Sequence, residues 1–277
     1  MITGWLFDVY PLRDRIVLWI KNKKMFRIEK EWTPSLYVSS IKSKLDDLLK
    51  NPQVLSFVKY IEWVEKIEKV SDLDTTKVLK LTVTNSFELL KLAKTIEGID
   101  SFGVYRLYNV DIPPEQTYLY EQNLYPLGKY KIQNTWKSLS KIEETDYKLP
   151  AFTKTTLQVS AKNKQKLASF TDKIESIQID DVKLQSDSEE KMIADCVQMI
   201  TDADPDYIIT EKGDSWDFPF LAYRAAENKI ADKLVLGREK NQSILRQKRE
   251  GTSYFSYGQV HFKPTATKLL GRIHIDK

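Results

Sequence analysis

The chain has 277 residues, a length that suits two domains, with 42% hydrophobic and 30% charged residues and therefore ample material for a core. Its net charge is +4, and its longest apolar runs, such as "VLWI" and "DYIIT", fall far short of the roughly 20 residues a membrane helix needs. Cys196 is the single cysteine, which excludes an internal disulfide, and the N-terminus lacks the basic-then-apolar layout of a secretory signal, so a reducing, cytoplasmic setting without membrane contact is expected.

The first half reads as strands with two helices. "ITGWLFDVY", "DRIVLWIKN" and "KMFRIEK" are β-rich runs parted by short polar turns, and they predict a meander. "PSLYVSS" adds a strand, and "KSKLDDLLKN" has apolar residues at helical spacing. "VKYIEWVEKIEKV" fits either a strand by its β-branched content or a helix by its length. "TKVLKLTVT" alternates as a strand, and in "SFELLKLAKTI" Ser86 is the expected cap of a helix with an apolar stripe. "GVYRLYNVDIPPEQTYLYEQN" supplies a strand, a Pro-Pro turn and an amphipathic segment. Residues 127–153 are polar and lack periodicity, which predicts a first domain over 1–130 and a linker over 131–153.

A second domain is expected over 154–277. "TKTTLQVSAKNK" is a strand by the alternation of Leu157, Val159 and Ala161, and "ESIQIDDVKL" is a second strand. "DSEEKMIADCVQMITDADPD" reads as a helix capped by Asp187 or Ser188, with Cys196 as a small buried residue. "DYIIT" is a short buried strand, and "WDFPFLAYRAAENK" is a helix with Pro219 in its first turn, where proline is tolerated. The order strand, helix, strand, helix predicts an α/β layer with parallel strands. His261 and His274 lie in strand-like segments without a second histidine or cysteine at ligand spacing, so a histidine-based zinc site is not expected.

Charge is unevenly distributed. Residues 238–277 hold nine Lys or Arg against three acids, a balance of +6, and the preceding residues sum to −2. "REGTSYFSYGQVHFKP" interleaves these cations with aromatics, a pattern that suits a nucleic-acid backbone and stacked bases but also a solvated hairpin. The candidate DNA contacts are Arg246, Lys248, Arg249, Tyr254, Phe255, Tyr257 and Lys263.

"DPDYIITEKGDSWDFPFLAYRA" resembles the second exonuclease motif of family B DNA polymerases, above all the archaeal ones, and "GRIHID" is similar to the strand that follows it there. "IVLWIKNKKMFRIEKEWTPSLYV" and "YNVDIPPEQTYLYEQNLYPLG" resemble the N-terminal domain of the same family, so the resemblance spans nearly the whole chain. It implies an α/β fold class: an α+β N-terminal domain, then a ribonuclease H-like α/β exonuclease domain, here incomplete at its C-terminus.

The family's exonuclease binds two divalent metals through carboxylates from three motifs. Two cations roughly 4 Å apart stabilise the attacking and leaving oxygens of an in-line displacement, and hard ions such as Mg²⁺ and Mn²⁺ take oxygen ligands. Matched residue by residue, Ser160 stands where the first motif has its aspartate and Lys162 where it has its glutamate. Lys212 replaces the second motif's asparagine, and Asp217 is the surviving acid. A hydroxyl is a weak substitute for a carboxylate, and ammonium groups at Lys162 and Lys212 repel a metal ion. Asp180 and Asp181 offer a rival pair of acids, but adjacent strand residues face opposite ways. Asp217 also reads as a helix-start acid satisfied by backbone N–H groups or a lysine.

The N-terminal domain of archaeal relatives also holds a pocket that reads template uracil. Tyr10, Pro34 and the segment from Asp111 to Pro113 fall on or near it, whereas Ala93 and Thr117 stand where relatives carry basic residues.

The resemblance therefore implies a scaffold and template or single-stranded DNA-binding role in replication or repair, within a DNA-directed DNA polymerase. The chain itself is expected to lack exonuclease and polymerase activity and to need no cofactor. Its expected partners are DNA and the remaining polymerase domains, in cis or as a separate subunit. The alternatives are an active Mg²⁺- or Mn²⁺-dependent 3′–5′ exonuclease that uses other acids, and an interaction subunit of a split polymerase.

Overall fold

In the computed structural model, which describes residues 1–133, 135–141, 148–163, 168–239, 252–256, 258–263 and 266–277, the chain divides into two compact units, Met1–Leu149 and Pro150–Lys277. The first unit opens with the expected meander of β1 (Ile2–Leu12), β2 (Arg15–Lys21) and β3 (Met25–Glu31). After β4 (Ser35–Ser39) come α1 (Lys42–Leu48), α2 (Pro52–Leu55), β5 (Val58–Lys66) and β6 (Thr76–Val83). Then α3 (Leu89–Glu97), β7 (Arg106–Tyr108), α4 (Pro114–Glu121), β8 (Lys129–Ile132) and β9 (Trp136–Ser138) complete it.

These strands form two sheets, ordered β3-β2-β1-β8-β9 and β5-β6-β4-β7. In the second sheet the apolar residues of one face, Leu36, Val38, Leu79, Leu81 and Val83, bury against Leu45 of α1, Val54 of α2 and Leu92 and Ile96 of α3. Each such side chain contributes about 1.5–3 kcal/mol relative to exposure. "VKYIEWVEKIEKV" resolves as a strand over Val58–Lys66, because β6 offers it a complete antiparallel partner.

Two expectations differ from the structure. Asn85, not Ser86, is the capping side chain, and it caps a 3-10 turn over Ser86–Glu88 that leads into α3: it accepts from Phe87 N at 3.0 Å, while the Ser86 hydroxyl donates to the Arg13 carbonyl at 2.7 Å. The stretch placed in the 131–153 linker also begins with structure, since β8 pairs with β1 and β9 with β8. Strands of four and three residues are too short to show a period, and Trp136 instead settles edge-on against Tyr130 at 5.6 Å.

The second unit runs β10 (Lys154–Lys162), β11 (Lys173–Ile179), β12 (Val182–Leu184), α5 (Glu189–Ala203), β13 (Tyr207–Thr210) and α6 (Phe218–Glu227). It ends with β14 (Thr252–Ser256), β15 (Gln259–Lys263) and β16 (Ile273–Asp276). The main sheet is ordered β12-β11-β10-β13-β16. Its β10, β13 and β16 are parallel and its β11 and β12 antiparallel, the α/β class expected. "ESIQIDDVKL" is a hairpin rather than one strand, with Asp180 in a left-handed conformation at its turn. Ser188 caps α5 by accepting from Lys191 N at 3.2 Å. Cys196 is fully buried, which pushes its thiol up to about 12 and leaves it an apolar core residue.

Two buried ionic networks lock this unit. Arg224 of α6 grips Glu189 of α5 with two hydrogen bonds of 2.9 and 2.6 Å, and Glu189 also accepts from Ile174 N at 2.7 Å. Arg272 donates to the carbonyls of Pro205, Leu236 and Gly237 at 2.6–3.1 Å and to Asp204 at 3.0 Å. Arg238 binds Asp204 at 2.7 Å and the fully buried Asp206 at 3.2 Å. Sequence reading counts both arginines toward the basic balance of residues 238–277, yet they are spent inside the fold.

Candidate functional site at the ends of the parallel strands

Where β13 ends, the chain does not enter α6 directly. Gly213–Asp217 forms a π-helical turn, with Asp217 N donating to the Lys212 carbonyl at 2.9 Å. Such turns re-aim side chains that a regular helix would direct elsewhere. Here consecutive side chains reach β10: Asp217 Oδ1 accepts from Val159 N at 2.8 Å, and Trp216 Nε1 donates to the Val159 carbonyl at 3.1 Å. The pairing of β10 with β13 ends at Thr156. Beyond it, the two side chains take over the backbone groups that a longer β13 would have satisfied.

Asp217 is 2% exposed. Burial pushes its carboxyl up to about 6, assisted by the charges of Asp276 and Glu211 and opposed by the Val159 hydrogen bond and the Lys212 charge. Ser160, next along β10, is half-buried, so the structure brings Ser160 and Asp217 to one strand end. Lys162 is exposed at the end of β10, beyond an irregularity in pairing between Ser160 and Ala161, and is not among the leading charges acting on Asp217. Lys212 is exposed and close enough to act on it electrostatically. Among the described residues, no cluster of three or more His, Cys, Asp or Glu is arranged to hold a metal ion.

A neighbouring group at the end of β16 escaped sequence reading. Asp276 Oδ1 accepts from Thr210 Oγ1 at 2.8 Å and Gly213 N at 2.7 Å, and Oδ2 accepts from Asp214 N at 3.1 Å. Burial alone would raise the Asp276 carboxyl; these hydrogen bonds and His274 outweigh it and hold the group below the usual carboxylate range. His274 Nε2 lies 2.8 Å from Thr210 Oγ1, and its Nδ1 lies 3.4 Å from Asp214. Burial lowers the His274 pKa against the pull of both carboxylates. A Cβ at Gly213 would meet Thr210 Oγ1 and, at 2.5 Å, His274 Nε2, so only glycine lets the π turn sit this close. The alternation in "IHID" was a usable signal, since it sends His274 and Asp276 to one face.

The other candidates scatter. Asp180 accepts from Thr156 N at 2.7 Å and Thr156 Oγ1 at 3.0 Å, a turn-stabilising role, and Asp181 is exposed beside it. Tyr10 is buried and its hydroxyl accepts from Trp19 Nε1 at 2.9 Å. Pro34 is buried, with its carbonyl accepting from Val83 N at 3.1 Å. Asp111 and Pro113 are exposed, and the Pro113 carbonyl accepts from Gln116 N and Thr117 N at the start of α4. Of the DNA-binding candidates, Arg246, Lys248, Arg249 and Tyr257 lie outside the described residues. The backbone of Tyr254, Phe255 and Lys263 lies in the β14–β15 hairpin, whose turn passes through Gly258 at φ +78°; the side chains of these three are likewise outside the description.

Residues 150–277 match the family model of the DNA polymerase family B exonuclease domain. A DNA polymerase from Thermococcus litoralis is 29% identical over 241 residues, covering 83% of this chain and 13% of the relative. DNA polymerase 1 of Pyrococcus abyssi is 27% identical over 253 residues, covering 87% of this chain and 31% of the relative. The chain thus spans less than a third of these curated relatives. The solved structure of the family B DNA polymerase from the hyperthermophilic archaeon Pyrobaculum calidifontis superposes with a TM-score of 0.70 at 15% identity, covering 99% of this chain and 36% of that one.

Proposed function

We propose that the chain, whose residues 150–277 match the exonuclease domain of family B DNA polymerases, is a non-catalytic N-terminal and exonuclease-like part of such a polymerase. Its role is to scaffold the polymerising domains and to guide template or single-stranded DNA in replication or repair, in the cytoplasm, with DNA and the remaining polymerase domains as partners.

One observation carries this reading: the strand end that faces Asp217 presents Ser160 and Lys162, and Asp217 itself is engaged by Val159 N. The donor set does not fit a pair of divalent cations. It offers one carboxylate with a raised pKa, one hydroxyl and a nearby lysine, Lys212, whereas Mg²⁺ and Mn²⁺ demand several anionic oxygens. Asp276 could be enlisted by an active exonuclease, but both of its oxygens are occupied by Thr210, Gly213 and Asp214.

The test is incubation of the purified chain with end-labelled single-stranded DNA and Mg²⁺ or Mn²⁺. Undegraded DNA is expected; shortening that Asp217→Ala abolishes would overturn the reading.

A further inference from the structure

The second sheet of the first unit arises from a β-α-β-β-α-β run and has its helices on one face only. Its other face carries Ser35 and Tyr37 of β4, Lys80 and Thr82 of β6, and Tyr60 and Glu62 of β5, which pair as Tyr60 with Thr82 and Glu62 with Lys80. An open face of this topology with aromatics is a common platform for stacked nucleic-acid bases. The charges here oppose that use. A cleft of about 530 Å³ over this face has Glu31, Glu62 and Glu121 on its walls against Lys59 and Lys80.

Lys80 is already bound to Glu62 at 2.9 Å. No ion pair among the described residues holds Glu31 or Glu121, and Glu121 accepts only from Trp32 Nε1, at 2.8 Å. A phosphate backbone would meet three carboxylates against two lysines, one of them already bound to Glu62. A lysine or arginine would meet those carboxylates and the rings of Trp32 and Tyr60.

The second feature is the edge. β5 is nine residues long and pairs with β6 on one side; among the described residues no strand pairs with its other side. Tyr60, Ile61 and Trp63 on it are exposed. A free edge of this length offers backbone hydrogen bonds to an added strand, with alternate side chains of that strand falling on the open face.

We infer that β5 and the adjoining cleft form a docking site for an extended basic segment of a protein partner, which adds as a strand to β5 and places a lysine or arginine between Glu31 and Glu121. The site lies within the first unit.

The probe is a fluorescein-labelled nine-residue peptide with lysine at alternate positions and valine between them, titrated into the full chain by anisotropy. A glutamate-for-lysine peptide and a labelled oligothymidylate serve as comparisons. The lysine peptide is expected to bind saturably, to weaken with added salt, and to protect amides of residues 58–66 from hydrogen exchange. Glu31→Lys combined with Glu121→Lys, both at exposed positions, should weaken it about tenfold or more with the thermal midpoint unchanged. Equal binding of the glutamate peptide, tighter oligothymidylate binding lost in the same variant, or binding without protection of β5 would each overturn the proposal.

Discussion

Replacing Asp217 by asparagine keeps a carbonyl oxygen for Val159 N and removes a charge from a site 2% exposed. The carboxyl moves from an ordinary 3.8 to about 6 on folding, chiefly through burial. At about 1.4 kcal/mol per pKa unit, the ionised form is about 3 kcal/mol less favourable in the fold than in the unfolded chain. The sign follows from the direction. A folded pKa above the unfolded one means that the contribution to stability is full below 3.8 and is lost as pH rises through about 6. The wild-type chain should therefore lose stability relative to Asp217→Asn by about 2 kcal/mol between about pH 4 and about pH 7, and level off above. The amide's own N–H groups need partners and add a cost of about 1–3 kcal/mol, but that cost does not vary with pH. Urea unfolding of both proteins over this range, followed by tryptophan fluorescence, isolates the pH-dependent part. A difference that stays flat, or grows in favour of wild type as pH rises, would refute the burial account.

Asp276 should behave oppositely. Its depressed pKa means stability present above 3.8 and lost as pH falls through the folded value, so Asp276→Asn should narrow the difference between neutral and acid stability in the same urea titrations. Gly213→Ala should destabilise by about 1–3 kcal/mol through collision with Thr210 and His274, read by differential scanning calorimetry. Arg272→Met should cost about 3–5 kcal/mol in chemical denaturation, because it strips the donor from Pro205, Leu236, Gly237 and Asp204 together. Single-stranded DNA binding should weaken with salt, and the log–log slope should fall by about 0.7 for each phosphate-contacting lysine or arginine removed from 246–263, checked by anisotropy. Ser160→Asp combined with Lys162→Glu should recover Mn²⁺ binding detectable by calorimetry; no heat above that of the wild-type chain would count against the alignment of β10.

Long, strongly patterned segments were legible. β1 and β2 follow from β-rich runs between polar turns, β6 from alternation, and α5 and α6 from their caps and first turns, and their apolar residues pack into the cores. Short elements were not. β8 and β9 exist because β1 offers them an edge, a non-local fact that four residues cannot encode. Asp217 stands out in the sequence, but its partner is the amide of Val159, and no side-chain motif records a backbone donor. The tally of positive charge in residues 238–277 misled for a related reason. Arg238 and Arg272 look like surface cations until Asp204, Asp206 and a ring of carbonyls are folded around them.

Asp217 has two competing uses, and its environment separates them. A metal-binding carboxylate needs cations nearby to keep it ionised, and companion acids to share them. Here the charges nearest to it include Asp276 and Glu211, both of which raise its pKa, with Lys212 alone lowering it. Burial remains the larger cause of the shift, and the carboxyl acts as a latch that fastens the π turn to β10 through Val159 N. Trp216 makes the second half of the latch, so strand and turn stay joined through both protonation states of Asp217. The shape of the strand end is held by protein–protein hydrogen bonding. Under the proposed role, in which the chain positions DNA and neighbouring domains, this hydrogen-bonded strand end supplies a fixed surface.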